Sequence, residues 1–291
     1  MGCELCPRRC GAERKTEAGV CRCTETLRIA RAAAHYGEEP CISGAWGAGA
    51  VFFSGCPLGC VYCQNYRLSR GMEGREITTE RLAEIFTELA HEGVQCLDLV
   101  TGTQYVPQIL RALELAKPTL PVVWNSSGYE RTETIRALAK YVKCWMPDMK
   151  YALRAPAARY SRAPDYPEVA KAAILEMFRQ SGPYRLDEDG VLVSGVVIRH
   201  LVLPGQLENT RRVIEWVGET FDEGDVLFSL MAQYTPCGEA ERYPELSRPL
   251  TQSEWDEALA CLDASPISDG YVQELSASGT EEIPAFDGTG V

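Results

Sequence analysis

The run Cys56-Pro57-Leu58-Gly59-Cys60-Val61-Tyr62-Cys63 sets three cysteines at the spacing C-x3-C-x2-C. Iron–sulfur cubanes usually take four thiolates. Three on one compact loop leave one iron open, much as catalytic metal sites keep an open position. Gly55 and Gly59 allow the backbone to turn tightly around such a group. The bland alternatives are chance clustering, or zinc with a distant fourth ligand. A second group, Cys3, Cys6, Cys10 and Cys21, has the spacing C-x2-C-x3-C-x10-C, with Cys23 and Cys41 as further candidates. Four thiolates from a short, core-poor segment could hold structural zinc or a saturated Fe–S cluster. Its alternative is reduced thiols without a metal. Nine of the 13 cysteines precede residue 64, and that bias points to metal or redox chemistry rather than packing. Cys96, Cys144 and Cys261 lie in apolar runs and are expected as small buried hydrophobes. Cys237 lies in a loop that could approach a substrate mouth.

The elements that must position these groups follow a repeated pattern. Short apolar runs at 50–54, 96–101, 122–125, 142–146, 196–203 and 226–231 suit buried parallel strands. Between them lie stretches of helical period, such as Leu82, Ile85, Phe86 and Leu89 within 81–91. Pro107 opens a second helix carrying Ile109, Leu110 and Leu113, and Asp165 is placed to cap a third that runs through Phe178. The stretches 207–217 and 253–262 are similar. Six strand–helix units imply an α/β fold with a parallel sheet, either doubly wound or a partial TIM-type barrel. Periodicity does not choose between them. The chain divides into a Cys-rich N-terminal lobe (1–48), the α/β domain (49–275) and a polar tail (276–291), which Ile283, Pro284 and Phe286 could anchor.

In parallel α/β folds, functional groups collect at the C-terminal ends of strands. Each expected strand here ends in a polar or Gly-containing segment: Ser54-Gly55-Cys56, Gly102-Thr103-Gln104, Asn125-Ser126-Ser127, Asp148-Met149-Lys150, Arg199-His200 leading to Pro204-Gly205, and Gln233-Tyr234-Thr235. Six in phase point to a shared mouth. Segments 151–164 and 236–249 are expected as flanking loops. His200 is balanced between a site residue and a satisfied core histidine.

With Tyr62 in its aromatic position, the C-x3-C-x-aromatic-C loop resembles that of the radical S-adenosylmethionine (SAM) superfamily. The stretches Leu5-Cys6-Pro7-Arg8-Arg9-Cys10-Gly11, Cys63-Gln64-Asn65-Tyr66, Asn125-Ser126-Ser127-Gly128-Tyr129, Asp148-Met149-Lys150-Tyr151, Arg199-His200-Leu201-Val202-Leu203-Pro204-Gly205 and Gln233-Tyr234-Thr235-Pro236 are similar to the branch around pyruvate formate-lyase activating enzyme. The resemblance implies a partial (β/α)6 barrel with SAM across its top and a [4Fe-4S] cluster on Cys56, Cys60 and Cys63. It implies that Tyr62 packs near the adenine, that Lys150 neutralises the SAM carboxylate, and that Asp148 binds a cation or hydroxyl near the radical. Arg199 is implied to help hold SAM, with Asn125 and Ser127 at its methionine or ribose groups. Where the superfamily often carries Gly-Gly-Glu, this chain has Gly102-Thr103-Gln104. There the Gly102 backbone and the Thr103 hydroxyl are expected to take over the contact with the SAM amino group.

The implied activity is reductive SAM cleavage to a 5′-deoxyadenosyl radical for hydrogen abstraction, with a glycyl radical enzyme as the activated partner and flavodoxin or ferredoxin as reductant. The alternatives are a maturase of a peptide or small metabolite, or a non-catalytic Fe–S or zinc protein. A net charge of −12 argues against nucleic acid as a partner. No apolar run reaches the roughly 20 residues of a membrane span, and the first residues lack a signal-peptide pattern. The expected location is the cytoplasm.

Overall fold

The computed structural model describes residues 2–277 and 284–291. After residues 2–27, where the described chain forms no strand or helix, the chain runs through β1 (Arg28–His35), α1 (Pro40–Ser43), β2 (Ala48–Phe53), α2 (Tyr66–Ser69) and β3 (Arg75–Glu76). It continues through α3 (Thr79–His91), β4 (Leu97–Val100), α4 (Val106–Ala116), β5 (Val122–Ser126), α5 (Thr132–Leu138) and β6 (Cys144–Pro147). Then follow α6 (Arg154–Ser161), α7 (Tyr166–Ser181), β7 (Arg185–Leu186), β8 (Leu192–Leu201), α8 (Leu207–Thr220), β9 (Leu227–Met231), α9 (Gln252–Asp263) and β10 (Gly270–Val272).

The sheet order is β10-β9-β8-β6-β5-β4-β2-β1-β3, with β7 paired to β8. From β2 through β10 the neighbours are parallel and never reverse their sequence order. A doubly wound sheet would show a reversal. The fold is therefore a singly wound, open barrel of the TIM type, in which β2, β4, β5, β6, β8 and β9 are each followed by a helix. Trp124, Trp145, Ile198 and Phe228 lie in its buried core. The strands are short and buried along nearly their whole length, which explains their continuous apolar runs.

Three elements depart from the sequence-based expectation. Residues 28–35 lie in the N-terminal segment, yet β1 pairs antiparallel with β2 along its length. Segment 154–161 is the helix α6 rather than loop; Pro156 falls in its first turn, where a missing N–H costs nothing. Asp165 precedes α7 but its side chain makes no cap bond. Both of its carboxylate oxygens accept instead from the Tyr129 hydroxyl at 2.9 Å.

The tail is tied down. Gly288 N–H donates to Ala30 O at 3.0 Å and Ala32 N–H to Thr289 O at 2.9 Å, while the Phe286 ring meets Phe52 edge-on at 5.5 Å. Ile283 lies outside the described residues. Among the described residues, no helix is long and apolar enough to cross a membrane.

Candidate active site

The cysteine loop leaves the end of β2 and is clamped from outside. Gly59 has φ +67°, and a Cβ there would lie 1.8 Å from an Arg70 guanidinium nitrogen; only glycine suits that conformation and that approach. Arg70 donates to the Cys56 carbonyl at 2.7 Å. From the N-terminal lobe, Arg8 donates to the carbonyls of Pro57 at 3.0 Å, Leu58 at 3.1 Å and Ser161 at 2.7 Å. Gln104 adds an inner staple, its amide donating to the carbonyls of Ser54, Gly55 and Thr101.

Cys56, Cys60 and Cys63 all line a cavity of about 150 Å³ at the C-terminal ends of the strands. Ser161 Oγ donates to Cys60 Sγ at 3.1 Å. Burial, and then the neighbouring Cys60 thiol, push Cys56 up and Cys63 up to about 12. Three thiolates can coexist on this buried loop only with strong positive charge beside them, which is what an iron–sulfur cluster supplies. Among the described residues no three His, Cys, Asp or Glu side chains are arranged around one ion.

Asn125, Ser127, Asp148, Lys150 and Arg199 line the same cavity. Lys150 Nζ sits 2.6 Å from Asp148 Oδ2, and Asp148 Oδ1 lies 3.2 Å from Arg199 Nε. Arg199 also reaches Glu38 at 2.8 Å and Asn125 Oδ1 at 2.6 Å. Burial alone would raise Asp148, but Lys150 and Arg199 outweigh it and hold the carboxyl below its usual range. Burial likewise opposes the Lys150 charge, while Asp148 and then the nearby Cys60 thiol keep its pKa raised. A fixed cation thus stands beside the thiol triad. Tyr62 lines the cavity too, its ring meeting Tyr151, Tyr160 and Tyr234 edge-on at 6.2–6.5 Å. These residues fit a cluster together with a ligand carrying carboxylate, amino and aromatic groups.

Two expected residues fall outside this cavity. Gly102 packs beneath Ile109 and Trp124. The Thr103 hydroxyl donates to Glu130 Oε1 at 2.6 Å, so it is engaged away from the mouth, and Thr101 lines the cavity instead. His200 is a satisfied core residue: its ring nitrogens lie 2.7 Å from Met149 O and 3.0 Å from Thr210 Oγ1. Burial lowers its pKa to about 4. Cys237 reaches the cavity wall, whereas Cys96 and Cys144 are buried among apolar neighbours.

Sequence reasoning missed Glu38, Glu39 and Asp98. Glu38 Oε1 accepts from Asn125 Nδ2 at 3.2 Å and Asp98 Oδ2 accepts from the same amide at 3.2 Å. The paired glutamates before Pro40 are the signal that could have found them. In the lobe, the sulfurs of Cys10 and Cys21 both flank Gly19. Burial pushes Cys6 up to about 12, while a hydrogen bond from Cys23 brings Cys21 down to about 6.

Residues 50–217 match the family model described as the Radical SAM superfamily, more than half of the chain. The chain is 29% identical over 266 residues to the uncharacterized protein MJ0674 of Methanocaldococcus jannaschii, covering 88% of this chain and 73% of that one. It also aligns with Streptococcus suis SuiB, solved bound to S-adenosylmethionine, at 13% identity and a TM-score of 0.42. That alignment covers 75% of this chain and 45% of SuiB.

Proposed function

The chain belongs to the radical SAM superfamily, and from that premise we propose that it is a reductive SAM-cleaving enzyme acting by hydrogen abstraction, with a glycyl radical enzyme as its substrate. Cys56, Cys60 and Cys63 would hold the [4Fe-4S] cluster, and Lys150, Arg199, Asn125, Ser127 and Tyr62 would hold SAM. The chemistry these cofactors supply is one-electron reduction of SAM to give methionine and a 5′-deoxyadenosyl radical. The observation that carries the proposal is the meeting of three free thiols, Lys150 and Arg199 in one cavity.

The protein's own work is positioning and charge. Lys150, held by Asp148, presents a cation to an anionic group beside the triad. Arg199 donates to both Asp148 and Asn125 and so fixes the two side chains. Tyr62 and Tyr234 give the cavity an apolar wall, and an apolar wall limits water that would quench a radical. A second metal on Cys3, Cys6, Cys10 and Cys21 would brace the lobe that carries Arg8. Flavodoxin or ferredoxin is the proposed electron source.

Anaerobic reconstitution with iron, sulfide, SAM and dithionite tests the reading. It expects 5′-deoxyadenosine from the wild type and neither cluster nor product from Cys60→Ala. Intact cluster content in that variant would overturn the triad assignment. Activation of a glycyl radical enzyme is tested by a glycine-centred EPR signal on candidate partners, and silence with all of them removes that substrate.

A further inference from the structure

A second chamber of about 420 Å³ lies within the open barrel, lined in part by Glu38, Glu39, Ser229, Gln233, Tyr271 and Gln273. Arg199 and Gln233 line both this chamber and the cysteine cavity, so the two adjoin. Its size is that of a small-molecule or side-chain site.

The charges in this interior do not balance. Glu38, Glu39, Asp98 and Asp148 face Arg199 and Lys150, and Lys150 is engaged by Asp148. Arg199 is shared between Asp148 at 3.2 Å and Glu38 at 2.8 Å, leaving Glu39 at 3.7 Å. Glu39 is 8% exposed; the Ser229 side chain hydrogen-bonds its carboxyl, while its Oε2 accepts no hydrogen bond. Asp98, fully buried, has an unpartnered Oδ1 as well. A buried carboxylate oxygen without a donor is costly, and burial accordingly pushes Glu38, Glu39 and Asp98 upward. The missing partner is a hydrogen-bond donor carrying positive charge. Among the described residues no three acidic, His or Cys side chains are placed around one point for a single metal ion.

We propose that the chamber receives a protonated primary amine of the substrate, with the Glu39 carboxylate as its ion partner and Ser229 and Gln233 as further acceptors. An ammonium has three donors and no acceptor, which matches a wall of carboxylate, hydroxyl and amide oxygens. The inference rests on the radical SAM reading only in calling the amine a substrate group; the charge argument stands without it.

The test is equilibrium binding to the anaerobically reconstituted full chain by calorimetry, with and without SAM. The probes are cadaverine as a free amine and Nα-acetyl-lysine methylamide as a peptide-type amine, with Nα-acetyl-norleucine methylamide as uncharged isostere. At least one amine should bind about tenfold or more tightly than the isostere, and Glu39→Gln should reduce that preference to about threefold or less. Preference for cadaverine identifies a free amine, preference for the lysine derivative a peptide side chain. The comparison of ligands on the wild type needs no variant, so misfolding of Glu39→Gln cannot hide the result. The proposal is overturned if neither amine outbinds the isostere, if Glu39→Gln leaves the preference intact, or if SAM displaces the amine one for one. Failure of SAM cleavage alone would sink the enzymatic reading and leave an amine preference measured without SAM untouched.

Discussion

Replacing Asp148 by Asn strands Lys150. The ammonium loses a carboxylate at 2.6 Å, whereas Arg199 keeps Glu38 at 2.8 Å and Asn125 at 2.6 Å. At an effective dielectric of about 20, a pair at that separation attracts by about 6 kcal/mol before desolvation is counted. Breaking one side of a buried pair costs about 3–5 kcal/mol. The Lys150 side chain retains 18% exposure, which puts the expected loss at the low end, about 3 kcal/mol. Lys150→Met costs less, about 1–2 kcal/mol, because Asp148 still has Arg199 at 3.2 Å. In the double variant no charge is left stranded, so its loss should fall short of the sum by at least about 1.5 kcal/mol. Urea unfolding of the reduced apoprotein measures all three, provided the m-value is unchanged. Additivity within about 0.5 kcal/mol, or a loss under about 1 kcal/mol for Asp148→Asn, would refute the description of a desolvated, mutually dependent pair.

Gly59→Ala combines a left-handed backbone, about 1–2 kcal/mol, with displacement of the Arg70 bond to the Cys56 carbonyl, about 1.5–3 kcal/mol. Gly224→Ala, at φ +86° with no atom within 4 Å of the added Cβ, serves as the control and should show the backbone part alone. Equal losses in thermal unfolding would mean that Arg70 does not hold the loop. Glu176 on α7 is tied to α5 through Arg136 and to its own helix through Arg179, and the Arg179 bond leads in bringing its carboxyl down to about 2 from 4.5. The folded state therefore gains stability that is fully present above pH 4.5 and is lost as pH falls toward 2. Both arginines are more than half exposed, so solvent screening limits the gain to about 1 kcal/mol. Glu176→Gln should flatten that part of the acid unfolding curve; an unchanged slope contradicts the assignment.

The parallel strands were legible because burial on both faces writes continuous apolar runs, and the mouth was legible because six polar strand ends fall in phase. Arg28–His35 was not, since Arg-Ile-Ala-Arg-Ala-Ala-Ala carries little β preference and is held by its pairing to β2. Glu38 and Glu39 follow glycine and precede proline, a pattern that reads as a solvated turn. Their burial comes from packing around Arg199, which is 161 residues from Glu38 in the chain and invisible to local pattern. Thr103 was misplaced for a related reason: a hydroxyl at a strand end points where the next turn sends it, and here Glu130 receives it.

The clamp on the cysteine loop has a bearing on oxygen. Cys56 and Cys60 are buried under a lid of arginines, while Cys63 keeps partial exposure. All three line the cavity, so a small oxidant would approach them from that side. Whatever fills that cavity also covers Cys63, the least buried of the three sulfurs that line it.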